Sequence, residues 1–280
     1  MHVAIVGIGL IGGSVARDLR RTGLATRITG VGSSPERAQI ALRLGLVDQT
    51  ATLEVAVREA DLVVLATPVD RIVKLLPQIL DLVGDRQTVT DMGSTKLAIV
   101  DVVRHHPRRA RFVASHPMAG TENSGPAAAL DRLFEGKVAV LCDLCDSAPD
   151  AVECVEKLYA ALGMRVVRMD AATHDLHAAY VSHLSHVVSY ALALATLAKE
   201  QDENAIFTLA GGGFASTVRL AKSASDMWVP IFRQNRAAVL DAIETFSQKL
   251  EVLRAAIASG DDTRVRHLIE EANRIRSILP

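Results

Sequence analysis

His2-Val3-Ala4-Ile5-Val6-Gly7-Ile8-Gly9-Leu10-Ile11-Gly12-Gly13-Ser14 is the stretch on which the fold turns. Five apolar-rich residues read as a short buried strand, and G-x-G-x-x-G follows at once, opening an amphipathic helical pattern. In that setting each glycine has a task. Gly7 permits the tight turn, Gly9 lets a pyrophosphate approach the backbone, and Gly12 lets the helix lie close to the strand. Leu10 and Ile11 then present backbone N–H groups at the helix start, where anions are favoured. The implied chemistry is dinucleotide binding.

Working outward, the second strand, Arg27-Ile28-Thr29-Gly30-Val31-Gly32, should end at the adenosine ribose. Sites that prefer NAD place an acid there to take the 2′-hydroxyl. Here the tip reads Gly32-Ser33-Ser34-Pro35-Glu36-Arg37, with no acid at the strand end. Ser33, Ser34 and Arg37 suit a 2′-phosphate instead, so the pattern favours NADP over NAD. A helix is expected over 35–44, and Asp61-Leu62-Val63-Val64-Leu65-Ala66 reads as a strand buried on both faces. Ala66, Thr67 and Pro68 would leave it beside the cofactor. Pro77 either interrupts the next helix or starts a second one.

Strand Thr88-Val89-Thr90 leads to Asp91-Met92-Gly93-Ser94-Thr95-Lys96 and another helix. Gly93 joins the cofactor-facing set. Ser94 is placed either to N-cap that helix or to point its hydroxyl into the cleft. Further strands are expected near 112–115, 138–142 and 165–169. Phe112-Val113-Ala114 ends in Ser115-His116-Pro117-Met118-Ala119-Gly120, and Pro117 holds His116 in an extended conformation. An imidazole at a strand tip can accept a proton near neutral pH, which predicts a pH limb in the histidine range; it can equally cap loop backbone. Alternating βα units with special residues at the strand tips define a Rossmann-type doubly wound α/β domain over 1–170.

Past residue 170 the strand-like runs stop, and an all-α unit is expected over 171–280. His174 to Gln201 reads as one long helix. At about 100° per residue, nine positions make a half-turn, so His174 should oppose His183, and His177 should oppose His186. That excludes a four-histidine metal cluster, while His183 and His186 share a face near Ser182. Gly211-Gly212-Gly213-Phe214 makes a corner, Arg219 follows it, and Trp228 is expected to pack. Val239, Ile243, Phe246, Leu250, Leu253 and Ile257 alternate steps of four and three, a heptad seam for a close helix partner. A last helix is expected from Thr263 to Leu279. These seams point to a homodimer through the helical half.

The bulk numbers narrow the class. The chain has 280 residues, 49% hydrophobic and 22% charged, with net charge −1, so it offers no basic field for nucleic acid or an anionic membrane. No leader-like segment stands before the first strand, and the long apolar region 178–198 is interrupted by serines and histidines, unlike a membrane span. A cytoplasmic protein is expected. Cys142 and Cys145 form a lone C-x-x-C with Cys154 apart, too few ligands for structural zinc, and no metal is expected.

Taken together, the motifs resemble the prephenate and arogenate dehydrogenases of tyrosine biosynthesis along nearly the whole chain. The resemblance rests on the N-terminal glycine turn, Asp91-x-x-Ser94-x-Lys96, His116-Pro117-Met118-Ala119-Gly120-Thr121-Glu122-x-Ser124-Gly125 and Leu133-Phe134-Glu135-Gly136. It continues through His174-Asp175, Ser182-His183-Leu184-x-His186, Gly211-Gly212-Gly213-Phe214, Arg219 and Met227-Trp228. It implies NAD(P)-dependent oxidative decarboxylation of prephenate or arogenate, by a monofunctional, dimeric enzyme. It also implies His116 as catalytic base with Ser94 beside it, Arg219 on a substrate carboxylate, and Ser182, His183 and His186 lining the pocket. Glu122 would serve an ammonium group or gate the site. Ser185 stands where the family usually has proline, and Ser216 where it usually has an acid. The second departure removes an anionic partner for arogenate's ammonium and favours prephenate. A β-hydroxyacid-type dehydrogenase or a non-catalytic NAD(P)-sensing dimer are the remote alternatives.

Overall fold

The computed structural model describes residues 1–32, 34–203 and 205–278; Ser33, assigned above to the cofactor, and Leu279, assigned to the last helix, lie outside them. The first half runs β1 (His2–Val6), α1 (Leu10–Arg21), β2 (Arg27–Val31), α2 (Pro35–Arg43), β3 (Gln49–Thr50), α3 (Leu53–Glu59), β4 (Leu62–Leu65), α4 (Val69–Leu82), β5 (Thr88–Asp91) and α5 (Leu97–Asp101). It closes with β6 (Phe112–Pro117), β7 (Val138–Cys142), α6 (Pro149–Ala161) and β8 (Arg165–Met169). Every described element beyond β8 is helical: α7 (Ala171–Ala178), a π-helical turn (Ala179–His183), α8 (Leu184–Asp202), α9 (Gly212–Thr217), α10 (Ser225–Gln234), α11 (Arg236–Ala258) and α12 (Asp262–Ala272), with 3₁₀ turns between them.

The eight strands make one sheet in the order β3-β2-β1-β4-β5-β6-β7-β8. Strands β1 to β6 are mutually parallel, so their carboxyl ends share one edge. Strand β7 departs from that direction and runs antiparallel to β6, pairing His116 with Val140. A parallel return needs a crossover element, and between β6 and β7 the chain forms only a single 3₁₀ turn at Pro126–Ala128. Helix α6 does provide a crossover, and β8 accordingly lies parallel to β7.

Alternation along each strand divides the core. Val3, Ile5, Leu62, Val64 and Val113 face one side, where Val15 and Leu19 of α1 and Val155 and Leu158 of α6 cover them. Ala4, Val6, Val63, Leu65 and Phe112 face the other, against Ile72, Leu76 and Ile79 of α4. Trp228 and Ile231 of α10 join that second cluster, which anchors the helical half on one face of the sheet. Pro77 lies inside α4 without dividing it.

Helices α7 and α8 run on through the π turn as one rod, and this overturns the phase argument for its histidines. In a π turn hydrogen bonds reach one residue further, taking about 20° from each step, so five such residues remove roughly 100° from the half-turn expected between His174 and His183. Both side chains are in fact buried, at 2% and 1% exposure. By length and composition alone this rod, Ala171–Asp202, contains an 18-residue window apolar enough to cross a membrane, with mean hydropathy 1.3, so its serines and histidines do not decide the matter. Packing is more informative: the first third of the rod carries buried His174, Asp175 and His183, hydrogen-bonded to β6, to the start of α5 and to Asn235. The heptad seam of α11 is split. Val239 is buried against the rod, while Leu250 and Ile257 remain exposed.

Candidate active site

The glycine turn lies at the carboxyl edge of the sheet. Gly7 has φ +98°, and a Cβ there would come within 2.7 Å of the Ala66 carbonyl oxygen, so the β1–α1 turn and the β4 tip touch backbone to backbone. A Cβ at Gly12 would meet the Gly7 carbonyl oxygen at 2.1 Å. At Gly9, by contrast, added atoms would meet nothing within 4 Å. Gly9 is the N-cap of α1, and no side chain caps the helix. Open space over an uncapped helix start suits a pyrophosphate. At the adenosine end, Ser34 accepts from the Arg37 backbone N–H at 3.3 Å and so N-caps α2. Its hydroxyl is thereby engaged in the chain, and Arg37, exposed on that helix, is the described group left for a 2′-phosphate.

Three strands along the edge from β1, β6 carries His116 two residues past Ala114. The histidine is a strand residue rather than a tip, and it is 7% exposed. Its Nδ1 lies 2.8 Å from His174 Nε2, and His174 Nδ1 lies 2.8 Å from Asp175 Oδ1. Burial first, then the electrostatic influence of neighbouring His174, Lys96 and His183, holds His116 well below its ordinary value of 6.5. That corrects the expectation of a limb in the ordinary histidine range. The ring is a neutral hydrogen-bond acceptor across the physiological range.

Behind His116 lies a fully buried ion pair. Lys96 Nζ bonds the Asp91 carboxylate and, at 2.6 Å, the Ser115 carbonyl oxygen. Asp91 also accepts from the backbone N–H of Ser115 at 3.1 Å and of Gly93 at 2.9 Å. The Ser115 hydroxyl donates to the Asp91 carbonyl oxygen, so β5 and β6 are fastened together one residue before the histidine. Ser94 does not cap α5. That helix begins later, with Lys96 as its N-cap, and Asp175 supplies the cap from α7: its carboxylate accepts from Lys96 N–H at 2.7 Å and Leu97 N–H at 3.0 Å. Ser94 is thereby left half-buried on the loop before α5.

The helical half brings in the remaining groups. Asn235 Nδ2 donates to the Asp175 carbonyl oxygen at 2.7 Å and lies 3.2 Å from His183 Nδ1. Burial lowers His183 to about 4, with Asp175 opposing the shift. His186 stacks on Trp228 at 3.5 Å between ring centroids, and its Nδ1 lies 3.1 Å from the Ser182 carbonyl oxygen. Trp228 also meets His183 edge-on, so the two histidines share that indole more than one helix face. Arg219 pairs with Glu122 at 3.1 Å, joining the loop after β6 to the helical half. Ser189 positions the arginine's segment, donating to Thr217 O at 3.0 Å and accepting from Ala221 N–H at 3.1 Å. Ser216 is exposed on α9.

The structure thus gathers His116, His183, His186, Arg219 and Glu122 around one seam, with Ser94 on the loop that opens α5. It adds Lys96, Asp91, His174, Asp175, Asn235 and Trp228, whose roles the residue patterns alone did not reveal. The adjacent His174-Asp175 pair was the available signal. Cys142, Cys145 and Cys154 are all free thiols, and burial pushes Cys142 up to about 12.

A glycine turn at a sheet edge, a buried neutral imidazole on the same edge and a guanidinium from a helical unit define a nicotinamide-dependent dehydrogenase class acting on an anionic alcohol. The particular family follows from comparison. Residues 15–168 match the family described as prephenate dehydrogenase, nucleotide-binding domain, and residues 170–271 match prephenate dehydrogenase, dimerization domain. The prephenate dehydrogenase of Bacillus subtilis is 32% identical over 99% of this chain and 76% of its own length. The crystal structure of prephenate dehydrogenase from A. aeolicus with hydroxyphenyl propionate and NAD+ superposes with TM-score 0.89 at 33% identity, covering 100% of this chain and 98% of that one. Synechocystis arogenate dehydrogenase gives TM-score 0.80 at 27% identity, covering both chains fully (100% each). The chain belongs to the prephenate dehydrogenase family.

Proposed function

We propose that this chain catalyses the NAD(P)-dependent oxidative decarboxylation of prephenate to 4-hydroxyphenylpyruvate. The observation that carries the reading is the buried His116, held neutral on the same sheet edge as the glycine turn. When bound, the nicotinamide supplies a hydride acceptor. Gly7, Gly9, Leu10, Ile11 and Gly12 would hold its pyrophosphate, with Ala66, Thr67, Pro68 and Gly93 along the same edge. His116 accepts a hydrogen bond from the substrate hydroxyl and takes its proton as the carbinol carbon gives up hydride. Ser94 orients that hydroxyl. Arg219 holds a substrate carboxylate in a bidentate fork, and Ser182, His183 and His186 line the pocket. The para ring carboxylate leaves as carbon dioxide, its bonding pair completes the aromatic ring, and the phenol oxygen recovers the proton from His116.

One observation supports prephenate over arogenate: Ser216, where the family usually has an acid, gives no charge to an ammonium group. A preference for NADP is supported by the missing acid after β2 and by exposed Arg37. A division at 170/171 is supported by the end of the sheet at Met169. Homodimerisation is supported by exposed apolar side chains on three helices: Leu194 on α8, Leu250 and Ile257 on α11, and Ile269 on α12. Three free cysteines suit the reducing cytoplasm.

A steady-state assay crossing prephenate and arogenate with NAD and NADP tests these points together. Turnover of prephenate with at least tenfold preference over arogenate is expected. Turnover of neither substrate would overturn the function, and a tenfold preference for NAD would overturn the cofactor assignment.

A further inference from the structure

The row Asp175–His174–His116 has a direction. Asp175 receives three N–H groups: Lys96 N–H and His174 Nδ1–H on Oδ1, and Leu97 N–H on Oδ2. An ionised carboxylate is acceptor-only and fits this set. With its Nδ1 proton given to Asp175, a neutral His174 has only a lone pair at Nε2. The 2.8 Å contact to His116 then requires the proton to sit on His116 Nδ1. The sole acceptor left on the His116 ring is Nε2.

We propose that His174 and Asp175 are positioning residues that fix His116 as the Nδ1–H tautomer, making Nε2 the atom that accepts the substrate's hydroxyl proton. The inference rests on the reading of His116 as the base. It explains why three sequence-distant elements meet here. Asp175 is held by the start of α5 and, through its carbonyl oxygen, by Asn235 at the head of α11. The π turn is what lets the rod bury both His174 and, further on, His183. The same Asn235 amide faces His183 Nδ1, so one side chain braces both histidines of the rod. During turnover the proton moves from the substrate oxygen to His116 Nε2, His116 Nδ1–H stays donated to His174, and His174 Nδ1–H stays donated to Asp175. The imidazolium so formed is two hydrogen bonds from a carboxylate, and it returns the same proton to the phenol oxygen.

The test pairs a spectroscopic readout with kinetics. In the full-length, ligand-free enzyme labelled with ¹⁵N-histidine, two-bond ¹⁵N–¹H correlations at neutral pH should show His116 protonated on Nδ1 and unprotonated on Nε2. An Nε2–H tautomer of His116, or a doubly protonated His174, overturns the inference. This measurement needs no turnover, so it stands apart from the substrate assignment, which fails only if neither prephenate nor arogenate is consumed. His174→Gln retains a carbonyl oxygen that can accept from His116 Nδ1–H, whereas His174→Phe cannot. The Gln variant should keep kcat within about tenfold, and the Phe variant should lose about a hundredfold or more with KM changed less than threefold. Equal losses in the two variants, or losses that follow their melting temperatures, would reduce His174 to a packing role. Asp175→Asn also weakens the α5 cap, so the wild-type spectrum remains the deciding measurement.

Discussion

Lys96→Met tests the floor of the site. Lys96 and Asp91 are both fully buried, and the ammonium also bonds the Ser115 carbonyl oxygen one residue before His116. Methionine keeps the length and apolar stem of lysine but strands the Asp91 carboxylate. Removing one partner of a buried pair costs about 3–5 kcal/mol, because an uncompensated charge stays inside. At about 2–4 °C per kcal/mol for a unit of this size, the melting temperature should fall by about 6–20 °C, as followed by circular dichroism or calorimetry. Adding Asp91→Asn should return part of the loss, since the charge is gone while an oxygen remains for the Ser115 N–H. The substitution has a second readout. The Lys96 ammonium adds to burial in holding His116 down. Its loss should raise the His116 pKa and move the acid limb of kcat/KM upward. A melting temperature within 2 °C of the wild type, with an unmoved acid limb, would refute the reasoning.

Other expectations are direct. In the wild type the base is active when neutral, so kcat/KM should hold as pH falls through 6.5 and be lost only at lower pH, where His116 protonates; a half-maximal point at or above 6.5 would contradict its burial. Gly9→Ala places a methyl in open space over the helix start, so it should fold with unchanged melting temperature yet lose cofactor affinity about tenfold or more in a fluorescence titration. Gly12→Ala, with 2.1 Å to the Gly7 carbonyl oxygen, should lose both. Leu250→Glu with Ile257→Glu puts charges on an exposed apolar seam and should yield monomers in sedimentation equilibrium; an unchanged mass would move the interface elsewhere.

The residues that were legible in the sequence act locally. Gly7, Gly9 and Gly12 do their work within one turn, and the strands near 112–115, 138–142 and 165–169 announce themselves by apolar runs. What was not legible depends on partners distant in the chain. The cap on α5 comes from Asp175, 79 residues from Lys96, so the local sequence leaves Ser94 open between cap and cleft. The direction of β7 depends on what connects it to β6, and no residue in β7 encodes that. A spacing of nine residues sets opposite faces only in a regular helix, and the π turn at Ala179–His183 departs from one, so that His174 and His183 are both buried. The motif Asp91-x-x-Ser94-x-Lys96 does not by itself show that Lys96 and Asp91 form a fully buried ion pair.

The central claim is that His116 is the base and that the cofactor cradle works without it. His116→Asn should keep the melting temperature within a few degrees and the cofactor dissociation constant within about twofold, while kcat for prephenate falls by about 10²–10⁴. A kcat within tenfold of the wild type would contradict the account.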